Sequence, residues 1–405
     1  MKLAKLSLAA MVVAGLASSS FAADTLADAF KQGSVTGELK AYYFSHDDDS
    51  MDRADIFSTG IMLGYKTASF YGFSLGLTAQ GSASPFADSD GKAYYNGDMY
   101  GSGAVLSESY LAYSAGKTTA MVGRMFLDTP LVSGSGSRII KEAFEGAAII
   151  NTDLPNTTLI AGYVQKFQSR TDRDGNVGKF TRKSVTTNSS VNVDINDGVY
   201  TFAAINKSIP GLTLTGAYAY AEAFDTIDVN IAYVEALYEG KAGEIGYTLG
   251  VQDYYNAFDN AGTPDDTINL YAVKAGLSFK GINGTVAFSQ VSDDAVVGNA
   301  IASGLGNGAD LLYTDPVIAM NGYNRDTKSY LIDLNYDITA AANIGARYVL
   351  AEMGTGIDKD VSSTAVYGTY KFDAALKGFS LGAQYEKQGQ DGDGDDVWVK
   401  ANYKF

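Results

Sequence analysis

The chain has 405 residues, with 30 basic and 46 acidic side chains, a formal charge of −16, no cysteine and a single histidine. That balance gives nucleic acid phosphates no basic footprint. It also excludes disulfides, thiolate nucleophiles, Cys-based metal centres and clusters of His ligands. No cofactor is called for.

Residues 1–22 are expected to be a signal peptide. Lys2 and Lys5 form a positive start, Leu6 to Leu16 is an apolar stretch too short to span as a helix, and Ser20-Phe21-Ala22 supplies small residues at the cleavage positions. Losing the two lysines takes the charge from −16 to −18. The mature chain, residues 23–405, is read as one domain, since no composition shift marks a second.

From Ser34 onward the pattern is strand-like. Val35, Leu39, Ala41 and Tyr43 alternate with Thr36, Glu38, Lys40 and Tyr42. The same two-residue period recurs at 244–252, where Leu249 is apolar, at 329–336, where Leu334 is apolar, and at 379–386. Segments of about ten residues with one apolar and one polar face are the signature of a transmembrane β-barrel. Lipid offers backbone groups no partners, so a sheet in the membrane must close on itself.

Short turns are predicted near 68–71, 116–117, 153–156, 208–211, 240–242, 280–283, 338–341 and 374–378. Longer, more polar connections are predicted at 46–54, 83–104, 126–142, 168–197, 254–266, 292–325, 354–360 and 387–396, with one short connection near 224–225. Short periplasmic turns opposite long extracellular loops are how outer-membrane barrels are wired. The count is 18 antiparallel strands, and one hairpin fewer would make 16. The final strand, Val397 to Phe405, is apolar at every second position. Its Tyr403 and Phe405 resemble the C-terminal signal read by the barrel assembly machinery.

Catalysis finds few reagents. His46 beside Asp47, Asp48 and Asp49 is the only imaginable base with a carboxylate orienter, and a solvated acidic turn explains it as well. Asp391, Asp393 and Asp395 alternate like the start of a calcium loop. However, Asp396 replaces the expected glycine and Asn402 the bidentate glutamate, so a charged hairpin tip is the simpler reading.

Residues 124–146 carry more information. Arg124 and Asp128 precede Pro130, five small residues occupy 133–137, and Arg138, Lys141, Glu142 and Glu145 follow. Small residues let a loop fold closely against a wall, and a wide barrel would otherwise leave a large hole. Inward folding of 126–142 would put those six charges at a constriction. An ordinary surface loop is the alternative. On the neighbouring wall formed by strands 15, 16, 18 and 1, alternation places Arg347, Lys371, Lys400, Lys404 and Lys40 inward, with Glu38 and Glu386 among them. Loop acids across the lumen from this basic track would set up a transverse field.

Thr129-Pro130, Ser137-Arg138 and Phe144-Glu145-Gly146 resemble the matching segment of the OprD family of outer-membrane porins. The likeness continues weakly through 210–223 and 326–350. Acid balance and tyrosine-rich strands are also similar to the major outer-membrane porins of Campylobacter and its neighbours. The resemblance implies an 18-strand barrel, often trimeric, narrowed by inward loops and passing small polar solutes such as amino acids, with many members favouring cations. Its partners would be outer-membrane lipid and lipopolysaccharide, small polar solutes and the assembly machinery. Gly136 and Lys141 stand where many relatives have aspartate and proline, which favours general diffusion over a specific acidic pocket. The expected function is a modestly cation-preferring diffusion channel. A surface adhesin or structural barrel with a plugged lumen is the alternative.

Overall fold

The computed structural model describes residues 23–405 apart from 173, 186–191, 196, 224–226, 261–265, 295, 297–298, 320–322 and 355–358. The expected signal peptide lies outside the described residues.

A short helix, α1 (Leu26–Lys31), precedes the first strands, β1 (Ser34–Asp48), β2 (Met51–Lys66) and β3 (Phe73–Ala83). A second short helix, α2 (Ser89–Tyr94), leads to β4 (Gly103–Ala115), β5 (Thr118–Met125), β6 (Ala143–Asn151) and β7 (Thr157–Gln168). Then come β8 (Val199–Asn206), β9 (Leu212–Ala223), β10 (Ile227–Ala242), β11 (Ile245–Asn260) and β12 (Asp266–Phe279). The series ends with β13 (Ile282–Val291), β14 (Lys328–Asp337), β15 (Ala342–Met353), β16 (Lys359–Lys371), β17 (Phe379–Gln390) and β18 (Asp395–Lys404). Every strand pairs antiparallel with the next, and β18 returns to β1 from Asp47↔Asp395 to Glu38↔Lys404, closing an 18-strand barrel. One short extra strand, Phe180–Thr181, adds to β7 outside the ring.

Alternation explains which side chains face lipid. Val35, Leu39, Leu249 and Leu334 point outward and are exposed on the barrel surface, whereas Lys40, Tyr42 and Asp333 are buried on the inner side. On successive strands the outward rings of Tyr271, Phe288 and Tyr330 lie 6.4 and 5.3 Å apart. They form part of an aromatic girdle of the kind that marks membrane interfaces.

Two details depart from the sequence reading. The turn expected at 240–242 falls one step later, because Ala242 still pairs with Ile245 and Gly243 takes the left-handed φ of +61° that the tight turn requires. The connections at 46–54 and 387–396 are mostly strand: pairing continues to Asp48↔Met51 and to Lys387↔Asp395. Polar composition suggested loops there, but backbone pairing tolerates polar side chains once the strands rise above the lipid.

Described residues of the 126–142 and 292–327 connections pack against the inner wall. Leu131, Val132, Ile301 and Leu305 from these loops are buried in one apolar cluster with Phe144, Tyr233, Tyr254 and Phe258 of the inner wall. The two loops meet as a short parallel pairing, with Leu305 N–H donating to Leu131 O at 2.9 Å and Ser133 N–H to Leu305 O at 3.0 Å.

Candidate pore constriction

Loop 126–142 is shaped locally before it is docked. Thr129 Oγ1 accepts Val132 N–H at 3.1 Å and donates to Val132 O at 2.8 Å, closing the turn around Pro130. Ser133 Oγ donates to Asp128 at 2.9 Å, so Asp128 braces its own loop. The wall then grips the returning half. Gln80 accepts Lys141 N–H at 2.8 Å, and Gln80 and Gln168 both donate to Lys141 O, at 2.9 and 3.1 Å. Lys40 Nζ donates to the carbonyls of Arg138 and Ile139 at 3.0 and 3.2 Å.

A chain of charges runs through this loop into three others. Arg138 Nε donates to Asp98 Oδ2 at 2.7 Å, and Arg170 holds the other oxygen of the same carboxylate. Arg170 Nε stands 3.8 Å from Glu142, which is almost completely buried. Glu142 Oε2 accepts Ser135 N–H at 3.0 Å and Asn307 N–H at 2.8 Å, while its Oε1 takes the Asn307 side-chain amide. Residues from the β3–β4, β5–β6, β7–β8 and β13–β14 loops are thus tied together. Burial alone would raise the Asp98 carboxyl; the adjacent Arg170 and Arg138 guanidiniums outweigh it and hold the carboxyl below the usual carboxylate range.

Arg138 also lies over Trp398, 4.1 Å from the ring centroid, with Lys400 Nζ 4.3 Å from the same ring. Arg138 therefore sits against the wall that carries Lys400, not across the lumen from it. Glu142 is buried between its own loop and Asn307. Glu145 is in β6 rather than the loop, held by Arg124 at 2.9 Å and Lys166 at 2.5 Å beside a bulge at Gly146. Any Cβ at Gly146 would collide with the Tyr163 carbonyl, so the bulge needs glycine. The expected arrangement of Glu142 and Glu145 facing the basic track is not what forms, because both carboxylates find closer cationic or amide partners. Lys141 places its ammonium 4.5 Å from the Phe126 ring.

Along the expected basic track, Arg347 pairs with Asp333 at 2.9 Å and donates to Asp315 O at 2.9 Å. Lys404 lies 3.8 Å from Glu38. Lys371 and Lys400 share a recess of about 330 Å³ with Tyr367, Gln384 and Asn402. Among the described residues no ion pair involves either of these lysines. Glu386 is fully buried and accepts three backbone N–H groups, from Val317, Ile318 and Ala319 at 2.7, 3.0 and 2.7 Å.

Sequence reasoning missed Asp98, Arg170, Asn307 and the inward course of 292–327. A signal existed for the last: residues 295–309 contain no charged side chain, which is unusual for a loop that faces water. At the extracellular rim His46 bridges Asp396 at 3.0 Å and Asp48 at 3.1 Å, stacked on Tyr94. Asp391, Asp393 and Asp395 point to separate partners, namely Asp360 N–H, Asp49 N–H and the pair Tyr385 and Lys387. No trio of ligating side chains gathers among the described residues. Phe405 exchanges backbone bonds with Gly37 at 2.8 and 3.0 Å.

The model of the OprD family of outer membrane porins matches residues 30–360. The chain belongs to the OprD family. Its barrel is similar to solved structures of OccAB3 from Acinetobacter baumannii (14% identity, TM-score 0.77, covering 93% of this chain and 99% of that one) and OccAB4 from the same organism (19%, 0.75, 92% and 98%). It is likewise similar to OpdK of Pseudomonas aeruginosa, solved with vanillate (13%, 0.76, 93% and 99%). No curated protein sequence matches the chain. As an OprD-family porin it is an outer-membrane protein of Gram-negative bacteria and a channel for small solutes. Porins are channels rather than enzymes.

Proposed function

We propose that the barrel is a passive, water-filled diffusion channel for small hydrophilic solutes such as ions and amino acids, with a modest cation preference. The observation that carries this reading is the inner wall itself. Among the described residues Lys371 and Lys400 stand without ion-pair partners in a recess that Asp337, amides, hydroxyls and small apolar side chains line together, beside a constriction whose other charges are mostly paired. Arg124, Asp128, Arg138, Lys141, Glu142 and Glu145 act at that constriction, Arg138 from its seat on the wall beside Lys400 and Glu142 by holding the loops in shape. Lys40, Arg347, Lys371, Lys400 and Lys404 form the basic wall, where the dipolar ends of an amino acid find partners.

Ion preference comes from elsewhere. Because the constriction charges mostly pair locally, the net charge of the mature chain (−16 less the two lysines of the signal peptide, or −18) acts mainly at the mouths, where it raises local cation concentration. That effect fades as salt shortens the Debye length from ~10 Å at 0.1 M to ~3 Å at 1 M. The protein works as a trimer in outer-membrane lipid and lipopolysaccharide, placed there by the assembly machinery through Tyr403 and Phe405.

Planar-bilayer recording tests the reading. Large stable current steps with a reversal potential favouring cations at 0.1 M, declining toward none at 1 M, are expected. Arg138→Glu should strengthen the preference. Absence of steps would point instead to a sealed surface barrel, and anion selectivity would defeat the charge argument.

A further inference from the structure

Helix α1 precedes the first strand and packs at the rim of the barrel. Thr25 caps it, accepting Asp28 N–H at 3.1 Å, and Ala29 is buried against the rim, where Ala68 N–H donates to Ala29 O at 3.0 Å. Leu26 and Phe30, one turn apart, share a face that is 59% and 47% exposed. Ala27 and Lys31 lie about 100° further round the helix, and Asp28 lies opposite that face. A helix this small has no reason to turn its two large apolar side chains outward if water covers them.

The neighbours identify what does. Phe30 stacks on Tyr65, with centroids 6.5 Å apart and planes within 17°, and Tyr65 Oη donates to Phe30 O. Tyr65 ends the outward column of β2 that carries Phe57, Ile61 and Leu63, all exposed on the lipid side. It pairs with Val35, also outward and 66% exposed. Next along the rim are Phe405, 55% exposed, and Tyr403, their rings 5.8 Å apart. A Cβ at Gly33 would collide with the Tyr65 ring, so Gly33 is what lets helix and column lie together. The apolar face of α1 continues the lipid-facing wall at its periplasmic edge, where aromatic rings ordinarily meet the headgroups.

We propose that α1 is an interfacial anchor: Leu26 and Phe30 insert into the phospholipid of the periplasmic leaflet, with Lys31 and Asp28 toward the aqueous side. An amphipathic helix lying in the interface plane buries its apolar face at the headgroup and acyl boundary in this way. The covering partner is lipid rather than a second copy of the chain, because the face is continuous with the exposed apolar columns of β1 and β2; the trimer seam then lies on other strands.

The chain has no cysteine, so single nitroxide labels report single sites. Protein purified from outer membranes and placed in phospholipid vesicles would carry a label at Leu26→Cys, Phe30→Cys or Lys31→Cys. Collision rates with oxygen and with a water-soluble nickel chelate then give depth. The oxygen-to-nickel ratio should be several-fold higher at 26 and 30 than at 31. Equal ratios at all three would overturn the proposal, and so would strong dipolar coupling between copies at 26, which would put a protein interface there. Heat-modifiable gel migration confirms that each variant is folded. Should Phe30→Cys disturb the Tyr65 stack, Leu26→Cys still decides.

Discussion

Glu142 and Asn307 are 165 residues apart and share one buried carboxylate, which accepts the backbone N–H of Asn307 at 2.8 Å on one oxygen and its side-chain amide on the other. The joint locks two inward loops to each other rather than to the wall alone. Glu142→Ala would strip Ser135 and Asn307 of their acceptor and Arg170 of its second anion. Removing one partner from a buried charged network costs about 3–5 kcal/mol. The expected result is noisy current with a raised mean conductance and faster proteolysis within 126–142 and 292–327, the barrel itself staying folded. Quiet wild-type conductance would refute the joint.

Glu386 anchors the far end of the second loop. Both of its oxygens are needed, two N–H groups binding one and a third the other. Glu386→Gln presents an NH₂ group to at least one of those donors in either orientation. Each charge-assisted bond lost or reversed costs about 1.5–3 kcal/mol. Hydrogen exchange at residues 317–319 should accelerate by one to two orders of magnitude, with little change at the apolar contacts of 301–305. Uniform exchange across the loop would mean that Glu386 is not its anchor.

Protonation gives a separate handle on Asp98. Its folded pKa is below the ordinary aspartate value of about 3.9, so its stabilising contribution is complete above that value and is lost as pH falls through the folded one. The part of the conductance that depends on Asp98 should therefore stay unchanged from pH 8 to about 5 and change only below about 4. Asp98→Asn should remove the acid transition and shift selectivity toward anions at every pH above that transition, since Arg138 and Arg170 then lose the carboxylate they share. A wild-type inflection between pH 5 and 7 that Asp98→Asn abolishes would contradict the assignment.

The lipid-facing wall makes the simplest prediction. Leu249 and Leu334 are outward and exposed on the barrel surface. Arginine at either position should cost about 2–4 kcal/mol near the midplane in a refolding titration, and isoleucine almost nothing. An arginine that is tolerated would mean that the position lies at an interface or outside the lipid.

Strand period, turn chemistry and the closing seam were legible because each depends on neighbours two residues or one turn away. Leu249 and Leu334 face outward as their alternation requires, and Thr129 closes the turn around Pro130 on Val132. The constriction was less legible because its parts come from four loops. Nothing near Asp98 in the sequence points to Arg170, and nothing near Glu386 points to amides at 317–319. Arg138 illustrates the limit. Its charge was evident, but its seat over Trp398 depends on where β18 meets β1 and not on anything local to the loop.

Glu386 belongs to β17, yet the amides it receives come from the connection between β13 and β14. Other holds on that connection come from Asn256 on β11, Glu235 on β10 and Glu142 beside β6. These groups converge only when the sheet has curled through a full circle. A half-built sheet could offer Asn256 and Glu235 but not Glu386 and Glu142 together with them. The full set of holds on the narrowing therefore exists only in the closed ring.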